Sequence, residues 1–223
     1  LSGTQYTPEK GWDENKLDMF RRHIIQLGNS GVYVIYDELE GKEAVTWSYL
    51  LHTVELPMEM KELPNEVQVT GKNKAGGVSV AHLFSSAKTE QAIADTFFCA
   101  PTNWKNVTNA QGKALKYPNH WHFSSTTVPC KVARFLTVMD THGNNRPDMK
   151  VVRNGNTVQV GDWVINCNLA EKGKAAITVT NKSEKVSLNY DAGKKEGATI
   201  VTDQIKGKQI SKVLTDYLPD FEI

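Results

Sequence analysis

Three runs of β-branched and aromatic residues limit what this chain can become more than any other feature. They span residues 20–27, 32–39 and 46–53, with Gly28-Asn29-Ser30-Gly31 and Glu40-Gly41-Lys42 as punctuation. Such runs broken by glycine-bearing turns read as three successive strands. Strand alternation puts Val32, Val34 and Tyr36 on one face of the middle run and Tyr33 and Ile35 on the other. Apolar residues on both faces suit a central strand covered from both sides. The run ends at Asp37, and its neighbours bring His23 and His52. Pairing in chain order would bring those three groups together, which has the look of an active site. The rest of the chain favours reading the stretch as the centre of a sheet.

The strand pattern continues. Residues 66–70 and 78–84 alternate across a Gly/Lys/Asn turn, a hairpin signal. Residues 56–64 read as a proline-bounded connection, and residues 90–98 as a short helix or strand. The polar stretch 100–119 is long enough to be a functional or mobile loop. Residues 120–127 and 131–140 are strand-like. Beyond 150, Asn154-Gly155 marks a hairpin for which a type I′ turn is expected. Residues 157–160, 163–166, 175–180, 186–190 and 198–202 repeat the theme at sandwich spacing. Helical periodicity is nearly absent. The expectation is an all-β protein, an antiparallel β-sandwich of two stacked sheets. Residues 1–18 read as an extension or cut linker, and residues 19–223 as one large domain with a sub-boundary near 146–150.

Charge and cysteines narrow the function. With 26 basic and 25 acidic residues the net charge is +1, so nothing marks the chain globally for nucleic acid or membrane, although a local basic patch can still meet an acidic polymer. No run is long enough to span a membrane as a helix, and the first residues lack the halves of a signal peptide. The N-terminus reads as cut from something longer. Cys99, Cys130 and Cys167 form no metal-type spacing and sit in apolar runs, so they read as small hydrophobes. There is no Gly-x-Ser-x-Gly elbow and no phosphate-cradling loop.

Some side chains are candidates for chemistry. His120-Trp121-His122 sends two imidazoles to one face of a strand. With His142 they are weak candidates for a divalent-metal site; the competing reading is a polar sheet face with Trp121 packed inward. Arg21-Arg22 with Arg134 or Lys131 forms either a patch for carboxylates and sulfates or a solvated face. Trp104, in the long loop, and Trp121 are candidate sugar platforms.

The run Arg21-Arg22-His23-Ile24-Ile25, then Val32 to Asp37-Glu38-Leu39, then Trp47-Ser48-Tyr49-Leu50-Leu51-His52 resembles the C-terminal β-sheet domain of the heparinase II/III family. The resemblance covers residues 15–145, and the remainder weakly. Family members are secreted or periplasmic bacterial lyases that cleave uronic-acid polysaccharides by β-elimination. They join an N-terminal α/α toroid to antiparallel sheets. The resemblance implies that this chain is the β-domain of such a glycosaminoglycan lyase, supporting its own N-terminal catalytic domain and lining one wall of the cleft. The family's acid and base sit mainly on the toroid. A His-x-His followed by Asp, expected as metal ligands before the opening strands, is absent upstream of Met19. No catalytic residue therefore transfers, the chain is expected to be inactive alone, and a divalent metal belongs to the full-length protein. Expected contacts to an acidic polysaccharide are Arg22, His23, His52, Trp104, His120, Trp121 and His122. The alternative is a free-standing carbohydrate-binding sandwich without catalysis.

Overall fold

The computed structural model describes residues 6–7, 11–12, 17–54, 56–95, 108–113, 120–192, 199–205 and 208–214. Among them the chain is strand and turn throughout, with no helix. It divides between Asp148 and Met149 into two compact units.

The first unit opens with β1 (Tyr6–Thr7) and β2 (Gly11–Trp12), which pair only with each other. Then come β3 (Leu17–Gln26), β4 (Val32–Val45), β5 (Ser48–Val54), β6 (Glu59–Leu63), β7 (Glu66–Lys72), β8 (Gly77–Ser85), β9 (Thr89–Ala94), β10 (His120–Thr127) and β11 (Cys130–Gly143). Six of them form one sheet in the order β3-β4-β11-β8-β7-β6, and three form a second in the order β5-β10-β9. Every pairing is antiparallel. The two sheets stack. Leu39, Val69, Ala81, Leu83, Ala133 and Phe135 of the larger sheet share one buried core with Tyr49 and Phe123 of the smaller. The Tyr49 and Phe135 rings lie 5.7 Å apart across the interface. Trp47 fixes the entry to β5 by donating Nε1–H to the Cys130 carbonyl at 3.1 Å and its amide N–H to Thr127 Oγ1 at 3.0 Å.

β4 occupies the interior place that its two-faced apolar pattern requires, between β3 and β11. Val32, Val34 and Tyr36 are fully buried on the face away from the small sheet, as are Leu136, Val138, Val80 and Phe84 of its neighbours. The hairpin expected at 66–84 forms as β7–β8, and residues 89–94 are strand. Residues 59–63, read as connection, are the edge strand β6, whose side chains are all exposed. A strand with no buried face has no apolar alternation to betray it, and charged edges of this kind discourage further pairing. β5 is the main departure from chain order. Instead of joining β4 it pairs with β10, with Leu51 opposite Phe123 and Val54 opposite His120. His52 is thus carried into the other sheet, away from strand pairing with His23 and Asp37.

The second unit is a seven-strand antiparallel meander in chain order: β12 (Val151–Asn154), β13 (Thr157–Val160), β14 (Trp163–Cys167), β15 (Ala176–Asn181), β16 (Val186–Asp191), β17 (Thr199–Ile205) and β18 (Lys208–Leu214). Val158, Ile165, Val179, Ile177 and Tyr190 make one face of it buried, and Ile165 stands opposite both Val158 and Val179 in the ladder. The β12–β13 hairpin turns on Gly155-Asn156 rather than Asn154-Gly155, because Asn154 already pairs with Thr157. Gly155 takes φ +60 while neither asparagine is left-handed. That is the type II′ pattern, with glycine first, and not type I′.

Candidate functional site

The acids and bases of the opening strands are brought together in cross-strand pairs. Register places Arg22 opposite Asp37, and His23 opposite Tyr36. Arg22 donates from Nε and Nη2 to the two Asp37 oxygens at 2.7 and 2.8 Å. Asp37 is buried beside Phe135, whereas Arg22 is partly exposed with its guanidinium 5.4 Å from the Tyr49 ring centroid. Hydrogen bonding to Asp37 raises Arg22 above the usual arginine range, and burial pushes the Tyr49 hydroxyl up. On the opposite face His23 Nε2 lies 2.6 Å from Glu38 Oε1, and its ring stacks on Tyr36. Arg21 Nη1 approaches the same Glu38 oxygen at 3.9 Å. Arg134 is buried opposite Glu38 in the ladder. The basic cluster is therefore built around Asp37 and Glu38. These are bidentate and charge-assisted contacts of the kind that hold strands in register.

A second group lies on the outer face of the three-stranded sheet. His52 and His122 are direct partners in the β5–β10 ladder, their ring centroids 6.2 Å apart, and His120 lies two residues along the same face. Burial, then the imidazoles of His122 and His120, hold His52 below the ordinary histidine value. His142 belongs to β11 in the other sheet. Its Nε2 is 3.0 Å from Asp148 Oδ1, and its Nδ1 is 2.6 Å from the Gly143 carbonyl oxygen. The metal trio His120, His122 and His142 is thus not assembled, and among the described residues no three histidines, cysteines or carboxylates are placed to hold a metal ion. The physical reason is parity and sheet assignment: i, i+2 spacing aligned two rings, but the third lies in a different sheet. Trp121 alternates with those histidines and packs against the buried core between the sheets. Trp104 lies outside the described residues.

A roomier concavity lies elsewhere in this unit. It is a cleft of about 570 Å³ where β5, β7, β8 and β11 converge, lined by Thr53, Lys72, Asn73, Ser79, Thr141 and His142 among others. A smaller hollow of about 120 Å³, which includes His52, shares Thr53, Gly71 and Ser79 with it. Gly71 keeps the floor open, since a Cβ there would come within 2.6 Å of the Thr53 methyl. Asn73 shapes the rim by accepting the Gly77 N–H on Oδ1 at 2.8 Å. Lys72 Nζ lies 3.1 Å from Glu59 Oε1, but both side chains are largely exposed, so that pairing is weak and exchangeable. Thr53 and Thr141 donate their hydroxyls to the Leu56 and Gly31 carbonyls at 3.0 and 2.7 Å, which leaves them as acceptors beside Ser79, the Asn73 amide and the Lys72 cation around the glycine floor. Sequence reading missed this set. The sequence reads residues 71–77 as a hairpin turn and not as a phosphate cradle, and Thr53 and Thr141 carry no local signal.

The strands define an antiparallel two-sheet β-sandwich with an open groove at one end of β7 and β8, accompanied by a β-meander. No protein-family model matches the chain, and no curated protein matches its sequence. No helix among the described residues is long and apolar enough to cross a membrane.

Proposed function

We propose that this chain is the non-catalytic β-sandwich domain of a heparinase II/III-like polysaccharide lyase, and that it holds an acidic polysaccharide in the cleft formed by β5, β7, β8 and β11. The observation that carries the reading is the lining of that cleft: Lys72 to meet a carboxylate or sulfate, Ser79 and the Asn73 side-chain amide N–H to meet sugar oxygens, and the Thr53 and Thr141 hydroxyls, which donate to the Leu56 and Gly31 carbonyls, to accept from sugar hydroxyls. The pairing of Arg22 with Asp37 and of His23 with Glu38 supports a structural role for the strands that carry the family resemblance. Catalysis then belongs to a partner domain, in an exported lyase. The free-standing binding module remains the second reading. It shares the cleft, but its aromatic platform loses Trp121 to the core.

The test is affinity electrophoresis and calorimetry of the purified chain with heparan sulfate, hyaluronan and a neutral glucan. The acidic polymers should retard it and the glucan should not, and Lys72→Glu should weaken binding by at least about tenfold, as expected when a favourable ionic contact becomes a repulsive one. Equal retardation of Lys72→Glu, or no binding at all, would remove the cleft from consideration. A rise in unsaturated-uronate absorbance with this chain alone would overturn the non-catalytic assignment.

A further inference from the structure

Among the described residues β3 is an outermost strand of the six-stranded sheet, ten residues long, and it carries two large apolar side chains into solvent. Phe20 is 59% exposed and Ile24 67%, four residues apart on one face with Arg22 between them. Long edge strands with exposed apolar residues are templates for pairing, and proteins usually blunt them with free charge. Here the strand's charges face acids of its own neighbour: Arg22 is held by both oxygens of Asp37, and His23 and Arg21 converge on Glu38. The edge is close to neutral and apolar at its middle.

We propose that β3 pairs antiparallel with β3 of a second copy of this chain, about a two-fold axis through Arg22. A two-fold antiparallel pair places a residue against itself at the axis, and its neighbours cross symmetrically outward. With Arg22 on the axis, Phe20 stands opposite Ile24 of the second copy, and the symmetry makes the contact twice. Met19 falls opposite Ile25 and Asp18 opposite Gln26. An aromatic against a β-branched residue is a favourable cross-strand pair. Moving the axis to Arg21 sets Phe20 against Arg22 and Ile24 against Asp18, and moving it to His23 sets Ile24 against Arg22. Neither alternative joins the two apolar groups. The two Arg22 guanidiniums at the axis each remain tied to their own Asp37, so two ion pairs meet there and not two bare cations. The result continues the sheet through the interface. It is independent of the polysaccharide cleft, which lies on other strands.

Sedimentation velocity over a concentration series of the full chain is the first measurement. The expected mass rises toward twice that of the monomer, whereas Ile24→Lys stays monomeric with unchanged far-ultraviolet dichroism. Leu50→Lys, which alters an exposed apolar residue on the other sheet, should dimerise like the parent. Register is read independently by mixing Phe20→Cys with Ile24→Cys and bridging them with a short bifunctional maleimide. The mixture should cross-link strongly and each variant alone should stay at the parent's background. A chain that is monomeric throughout, a dimer that survives Ile24→Lys, or cross-linking of either variant with itself as strong as the mixture would each overturn the proposal.

Discussion

Replacing Arg22 with methionine tests whether the Arg22–Asp37 pair holds the first unit together. Methionine keeps an apolar stem of similar reach, so the change removes the guanidinium with its bonds to Asp37 and its contact with the Tyr49 ring. Asp37 has 3% of its side chain exposed and loses bonds of 2.7 and 2.8 Å. Removing one member of a buried ion pair costs about 3–5 kcal/mol, since it strands the other charge. Arg22 is 40% exposed, which lets water reach the site and sets the expectation at the lower end, about 3 kcal/mol. Asp37→Leu is gentler, about 1–2 kcal/mol, because the remaining guanidinium can be hydrated where it is exposed. The double variant strands no charge and should cost clearly less than the sum of the two. Urea unfolding followed by tryptophan fluorescence reads this through Trp47 and Trp121, which pack in the core of this unit. With a slope of about 2 kcal/mol/M, the Arg22→Met midpoint falls by roughly 1.5 M. A fall below about 0.5 M, or singles that simply add in the double variant, would refute the argument that Asp37 depends on Arg22.

Trp121→Ala separates core from platform: it should lower stability by about 3 kcal/mol while leaving affinity for an acidic polysaccharide unchanged, as unfolding and calorimetry on the same preparation would show. His52 supplies a pH dependence. Its folded pKa lies below the unfolded value, so above pH 6.5 both states are neutral and stability is full. As pH falls below 6.5 the unfolded chain takes up the proton first and stability declines. Melting temperatures of the parent and His52→Gln between pH 7.5 and 5 should therefore converge or cross on acidification. A parallel pair of profiles would remove His52 as the cause. The effect is small, because His52 is mostly exposed and only part of its ring is shielded from water.

Much of the fold was legible because its strands are built from period-2 alternation, which is local. β4 shows this best: with Val32, Val34 and Tyr36 against Tyr33 and Ile35, it could only be an interior strand, and it lies between β3 and β11. β6 escaped because no face of it is buried. The turn at 154–156 was misjudged by one residue, since the pairing of Asn154 with Thr157 depends on the register of the flanking strands and not on the Asn-Gly dipeptide. The site was harder to read. His120 and His122 do share a face, as their spacing requires, and His122 meets His52 across the ladder. Their joining with His142 needed a sheet assignment that no local pattern contains. Arg22 and His23 looked like ligand contacts, but the acids they bind are 15 residues away, one across the ladder and one diagonal to it.

The residues by themselves determined that this chain is all-β, where most of its glycines would turn it, and that one strand must be covered on both faces. These follow from side-chain shape and from alternation along a pleated backbone, which act over a few residues. Only the tertiary structure decided that β5 leaves its sequence neighbours for β10, 66 or more residues onward in every ladder pair. Only it brought Thr53, Lys72, Ser79 and Thr141 around one cleft. The reason is that sheet partners are chosen by the burial of whole faces: Tyr49 and Phe123 reach Phe135 only if β5 lies across the larger sheet and not alongside it.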